Sequence, residues 1–175
     1  EDASRPQHLD DNALPVPELA TRAALLELER AASLGLALAR DVVASRLDSV
    51  ERFATRARPV RRLLVAIAGY ATRLNRAGMS PGAASALMNL LRTHEHLWTM
   101  VRISGDLVSL RVESDDTTPR DRISLSQDYL TQMLAVLEQA DVSRADFDVE
   151  HCRRAWETHE ELRKEERQRL IDLGT

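Results

Sequence analysis

The sequence predicts an all-α protein, an elongated antiparallel helical bundle, and three observations carry that prediction. Hydrophobic residues make up 43% of the 175 residues but aromatics only 3%, and Ala and Leu dominate. That mixture favours helix, because Ala and Leu lose little freedom there while strands draw on aromatic and β-branched side chains. Apolar residues recur at i, i+3 or i+4 through every long segment, and no strand-like alternation survives inspection. The breaks between these segments are short and marked by Pro, Gly, Asp, Asn or Ser.

Residues 1–16 read as a linker: Pro6, Pro15 and Pro17 interrupt helix, and Asp10, Asp11 and Asn12 favour turns. Pro17 suits the first position of a helix, where its missing N–H costs nothing. The first helix should reach about Arg46, with Leu19, Ala23, Leu26, Arg30, Ser33, Ala37 and Val42 at helical spacing. It is apolar on more than one face over 31–39, which implies deep burial. A second helix is expected over 48–77, with Asp48 as its N-cap and the stripe Val50, Phe53, Ala57, Val60, Leu64, Ile67, Ala71 and Leu74. Pro59 inside it predicts a kink or break near Arg58, and Gly78 a stop. Ser80-Pro81 opens a third helix to about Val112, with Ala84, Leu87, Leu91, His94, Trp98, Val101 and Gly105 in series. Leu97, Trp98 and Val101 are expected in the core. The polar segment 113–122 reads as a loop between two halves. A fourth helix should span about 124–139, with Leu125, Tyr129, Met133, Val136 and Leu137 inward. A fifth should span about 146–172, with Val149, Cys152, Trp156 and Leu162 as a sparse stripe and a solvated, charged end over 160–169. Helices of about 30 residues are about 45 Å long, hence the elongated shape expected.

The net charge of -4 gives no general attraction to nucleic acid or anionic lipid. The one cysteine, Cys152, cannot make an internal disulfide, so nothing implies an oxidising compartment. The longest apolar run, 63–70, falls far short of the roughly 20 residues of a membrane span. The polar start without Met fits a fragment of a longer chain or a trimmed one.

Two segments carry a family resemblance. The run His8-Leu9-Asp10-Asp11-Asn12-Ala13-Leu14-Pro15-Val16-Pro17-Glu18-Leu19-Ala20, with 24–30 after it, is similar to the stretch joining the membrane part of bacterial sodium/phosphate cotransporters to their PhoU-like domain. That stretch has a Leu-Asp start, a Pro-x-Leu-Ala helix start and an acidic and basic pair on the first helix. Tyr70-Ala71-Thr72-Arg73-Leu74, Gly78-Met79-Ser80-Pro81, Leu87, Leu90-Leu91-Arg92 and His96-Leu97 resemble the second-to-third helix junction of a PhoU-like unit. Glu161-Leu162-Arg163-Lys164-Glu165 resembles the charged helix of a second unit. The resemblance implies three-helix units, a first over 17–112 and a partial second over 123–172. It implies a non-catalytic regulatory or structural domain on the cytoplasmic side of the inner membrane, itself soluble. Its partner would be the transporter region of the same chain, with a homodimer possible and no nucleic acid or cofactor. A free-standing PhoU-like regulator of phosphate uptake and signalling is the rival. Metal-binding members carry acidic residues on facing helices; those positions fall here near Arg61 and on Trp98 and Arg102, which supply no oxygen ligand. The resemblance therefore implies a lost metal site, and the arginines could hold an anion or pair with carboxylates.

The remaining candidates have ordinary readings. His94 and His96 lie two apart on a helix and point to different faces, so they do not share one ion. Cys152 and His159 lie two turns apart, about 10 Å, too far for one tetrahedral zinc ion; His151 adds no cluster, and a buried, inert thiol is expected. The run Arg56, Arg58, Arg61 and Arg62 reads as a solvated face or an anion or membrane-surface contact. Without interleaved aromatics it does not read as a single-strand binder. Asp115 and Asp116 have no EF-hand spacing. No phosphate loop, nucleophile elbow or metalloprotease motif is present. A metal-dependent helical hydrolase would need clustered ligands, and the five histidines do not cluster.

Overall fold

The structure, a computed structural model, describes residues 2–74, 79–115, 126–140 and 147–173. It is all-helical. A 3-10 turn, Asp11–Ala13, precedes α1 (Pro17–Val43), α2 (Val50–Arg73), α3 (Pro81–Asp115), α4 (Gln127–Gln139) and α5 (Val149–Leu173), with no strand among the described residues. No helix among these residues is long and apolar enough to cross a membrane.

Local chemistry sets the helix ends. Ser80 caps α3 as expected, accepting from the amide of Ala83 at 3.2 Å with Pro81 in the first position. The N-cap of α2 is Ser49, not Asp48: its hydroxyl accepts from Arg52 N at 3.2 Å, while the Asp48 carboxylate takes the Arg52 guanidinium at 2.6 Å. α1 stops three residues earlier than its pattern predicts. Ser45 adopts φ 55°, Ser45 N donates to Val42 O and Arg46 N to Asp41 O. That pair of bonds is a Schellman ending with serine in the place usually held by glycine. α2 runs through Pro59 without the expected break; the carbonyl of Thr55 gives up its helical donor on an exposed turn. The expected stop at Gly78, the inward Leu125 and most of the 113–122 loop lie outside the described residues. α3 itself extends to Asp115.

The chain forms two compact units, residues 1–35 with 54–103, and residues 36–53 with 104–175. α1, α2 and α3 each contribute residues to both. In the first unit the core is a seam of Ala20, Ala24, Leu28 and Ala31 from α1, Ala57, Val60, Leu64, Ile67 and Ala71 from α2 with Leu74 just after it, and Ala83, Leu87, Leu90, Leu97 and Val101 from α3. The alternating three- and four-residue steps keep these positions on one face of each helix. Small residues on α1 let its neighbours close in: a Cβ on Gly35 would stand 3.1 Å from Met100 Cε and 3.7 Å from Val60 Cγ1. Two expected core positions are corrected. Trp98 is 39% exposed and Leu91 36%, because the α3 seam runs one residue earlier, through Leu90 and Leu97.

The second unit buries Leu38, Val42, Leu47, Phe53 and Val108, with Phe53 packed where a Cβ on Gly105 would come within 2.9 Å of its ring. α4 and α5 pack on each other. Their described residues add only His159 and Glu166 to the buried set. Val149 and Trp156, expected inward, are 70% and 52% exposed.

Candidate functional site

The most developed polar site lies in the first unit, where residues 2–13 cross α1 and α2 as a strap. Its centre is Glu27 on α1, a carboxylate with no solvent exposure. A buried charge is costly unless paired and hydrogen-bonded. Here Oε2 accepts from the amides of Gln7 and His8, both at 2.8 Å, and Oε1 accepts from Arg30 Nε at 2.8 Å and Nη2 at 2.5 Å. The i, i+3 spacing of Glu27 and Arg30 brings two guanidinium N–H groups onto the one oxygen Oε1. The rest of the guanidinium is spent on the strap: Nη1 donates to Ala3 O at 3.0 Å and Nη2 to Arg5 O at 2.7 Å.

Residues of α2 extend the grip. Arg62 Nη1 donates to Ser4 Oγ at 3.2 Å, and the buried Tyr70 hydroxyl donates to Asp10 O at 2.7 Å. Burial, then the charges of Asp10 and Asp11, push the Tyr70 phenol up from its ordinary value. Arg73 pairs with Asp11 at 2.8 Å and lies 5.6 Å from the Tyr70 ring centre. The strap is also shaped from within. Ser4 donates to the Asp2 carboxylate from both its amide and its hydroxyl, which lowers the Asp2 carboxyl. Arg5 N closes a turn onto Asp2 O at 3.0 Å, and Asp10 caps the 3-10 turn through Asn12 N. The segment expected as a linker is thus tied down at successive points, and it was the buried acceptor on α1 that the sequence did not reveal.

A second buried glutamate repeats the arrangement in the second unit. Glu166 accepts from Ser126 N, at the N-cap of α4, at 2.7 Å and from Arg169 at 2.6 and 3.0 Å. The Arg169 hydrogen bond is the first cause that holds its carboxyl down at about 2. Beside it His159 stacks on Tyr129 at 5.3 Å between ring centres, with Trp156 at 5.5 Å. Burial lowers the His159 imidazole, whose Nδ1 meets no hydrogen-bond partner. An open cavity of about 340 Å³ lies along Tyr129, Arg163, Glu166, Arg167, Leu170 and Ile171; Arg163 is held by Glu160 at 2.8 Å.

The residues singled out from the sequence are dispersed. His94 Nε2 bonds Leu64 O at 2.9 Å, and His96 is exposed on another face. Cys152 is half-buried rather than buried. His151 is exposed beside Asp148 at 3.1 Å. Arg56, Arg58, Arg61 and Arg62 are exposed, as are Trp98 and Arg102; Arg56, Arg61 and Arg102 each keep an interaction of their own. Among the described residues no group of three or more His, Cys, Asp or Glu is placed to hold a metal ion. Asp115 ends α3, and Asp116 lies outside the described residues.

Comparison of the chain with protein-family models, with curated proteins and with solved structures finds no match.

Proposed function

We propose that this chain is a non-catalytic regulatory module of a sodium-dependent phosphate transporter, PhoU-like in kind, and that the strap is the element through which the bundle and the transporter act on each other. The supporting observation is the Glu27 clamp. The stretch that resembles the transporter-to-domain connection begins at His8, and the amides of Gln7 and His8 are the ones Glu27 holds. A helical bundle biases a transporter only through contacts that differ between the transporter's states. A strap held through its main chain on two helices supplies such contacts, because pulling it away costs hydrogen bonds to a buried charge.

Fractionation of the native protein, with an antibody against this domain, tests the reading. The expected signal stays in the membrane pellet after a high-salt wash, on a band much larger than 19.6 kDa. A soluble band near that mass overturns it in favour of a free-standing regulator. In the membrane-bound case, Glu27→Gln in the native gene is expected to change sodium-dependent phosphate uptake without changing the amount of protein.

A further inference from the structure

We infer that the face of α1 and α2 beneath residues 3–10 is a peptide-binding cradle that reads main chain, and that the strap is its exchangeable occupant. Five strap groups held from outside the strap are backbone atoms: the carbonyls of Ala3, Arg5 and Asp10 and the amides of Gln7 and His8. The side chains of Arg5, Pro6, Gln7 and His8 are exposed. Side-chain hydrogen bonds from the strap to α2 are made at Ser4 with Arg62 and at Asp11 with Arg73, and Leu9 between them is half-buried. The ligand class is therefore a polypeptide segment folded through a turn, with Arg5 N on Asp2 O at 3.0 Å, and recognised by carbonyls two apart followed by two successive N–H groups. Proline is welcome at position 6, where no amide is asked for. Proline at 7 or 8 would remove a donor from a carboxylate that has no water to replace it. The ligand committed to is this segment of the same chain.

The inference goes beyond the transporter reading and does not depend on it. The test uses the full chain with a protease recognition sequence inserted after Leu14, folded first and then cut. A fluorescein-labelled peptide of residues 1–14 is added and its anisotropy followed. Saturable exchange into the cut protein is expected. Peptides carrying Arg5→Ala, Gln7→Ala or His8→Ala should bind within about threefold of the parent, while Gln7→Pro or His8→Pro should bind roughly tenfold or more weakly. No exchange into cut protein that keeps its helical circular dichroism overturns the inference, as does equal loss from the alanine and proline peptides. If the insertion prevents folding, the uncut chain decides: Gln7→Pro should lower the melting temperature and Gln7→Ala leave it unmoved, and equal shifts overturn the main-chain reading.

Discussion

Replacing Glu27 by alanine tests the strap clamp most directly. The carboxylate accepts four hydrogen bonds, two from strap amides and two from Arg30. Removing it leaves two part-buried N–H groups unpaired, each worth about 1 kcal/mol or more. It also leaves the Arg30 cation without its anion, and breaking a buried pair from one side costs about 3–5 kcal/mol. Arg30 is 19% exposed in its side chain and keeps the carbonyls of Ala3 and Arg5, so its share falls to about 1 kcal/mol, the scale of one lost hydrogen bond. The expected loss is about 3 kcal/mol, within the ~5–15 kcal/mol stability of a typical domain. Urea titration followed at 222 nm should show it as a lowered midpoint with an unchanged slope. Amide exchange at Gln7 and His8 should accelerate selectively. Glu27→Gln, which keeps an acceptor but turns donors toward Arg30, should fall between. Because the pair is buried, the difference should persist in high salt, unlike that of a surface pair. A loss below about 1 kcal/mol for Glu27→Ala, or unchanged exchange at the two amides, would refute the clamp.

The helical glycines separate propensity from packing. Gly69→Ala, with nothing within 4 Å of the added Cβ, should raise stability by about 1 kcal/mol, whereas Gly105→Ala, 2.9 Å from the Phe53 ring, should lower it by about 1–3 kcal/mol; chemical denaturation of both variants checks the opposite signs. Ser45→Gly should stabilise the end of α1 by about 1 kcal/mol, since Ser45 sits at φ 55° where only glycine escapes the left-handed penalty, and thermal melting would read it. Glu166, with its carboxyl held at about 2 against an ordinary 4.5, contributes stability that is fully present above pH 4.5 and is lost as pH falls toward 2. In Glu166→Gln the acid limb of a stability-versus-pH curve over that window should be shallower. His159 adds a second limb: its lowered imidazole favours the neutral form in the fold, so stability declines as pH falls below 6.5, and His159→Phe should flatten that part.

The stripe on α2 was legible almost in full: Phe53, Ala57, Val60, Leu64, Ile67, Ala71 and Leu74 are buried and only Val50 is not. Charged residues occupy the exposed face of the first half of α2, at Glu51, Arg52, Arg56, Arg58, Arg61 and Arg62, which fixed the phase of the stripe there. On α1 the expected stripe fell one residue off. Leu19 and Leu26 are 57% and 42% exposed, while Ala20, Ala24, Glu27, Leu28 and Ala31 face inward. A helix that is apolar on several sides offers several phases. Close packing selects the small residues, whereas hydropathy weights leucine above alanine and places any glutamate outside. The same competition moved the α3 seam from Leu91 and Trp98 to Leu90 and Leu97. The all-helical class survived these shifts because it rests on composition and period, not on phase.

The strap clamp shows why the site itself could not be read from spacing. Glu-x-x-Arg occurs as an ion pair at Glu27 with Arg30, Glu150 with Arg153, Glu160 with Arg163 and Glu166 with Arg169. On sequence these are equivalent surface pairs of little energetic weight. Their carboxylates differ in exposure, 0% and 6% for Glu27 and Glu166 against 55% and 30% for Glu150 and Glu160. Both of the buried ones also accept a backbone amide from a segment that leads into a helix, Gln7 and His8 ahead of α1 and Ser126 at the cap of α4. An arginine one turn along pairs with the buried carboxylate, and the same carboxylate also accepts from main chain. Such a clamp places its sequence requirement on the glutamate and arginine and almost none on the segment it holds. A change of grip can therefore be driven by force or displacement along the strap without any change in the strap's own residues, which is the property a regulatory connection requires.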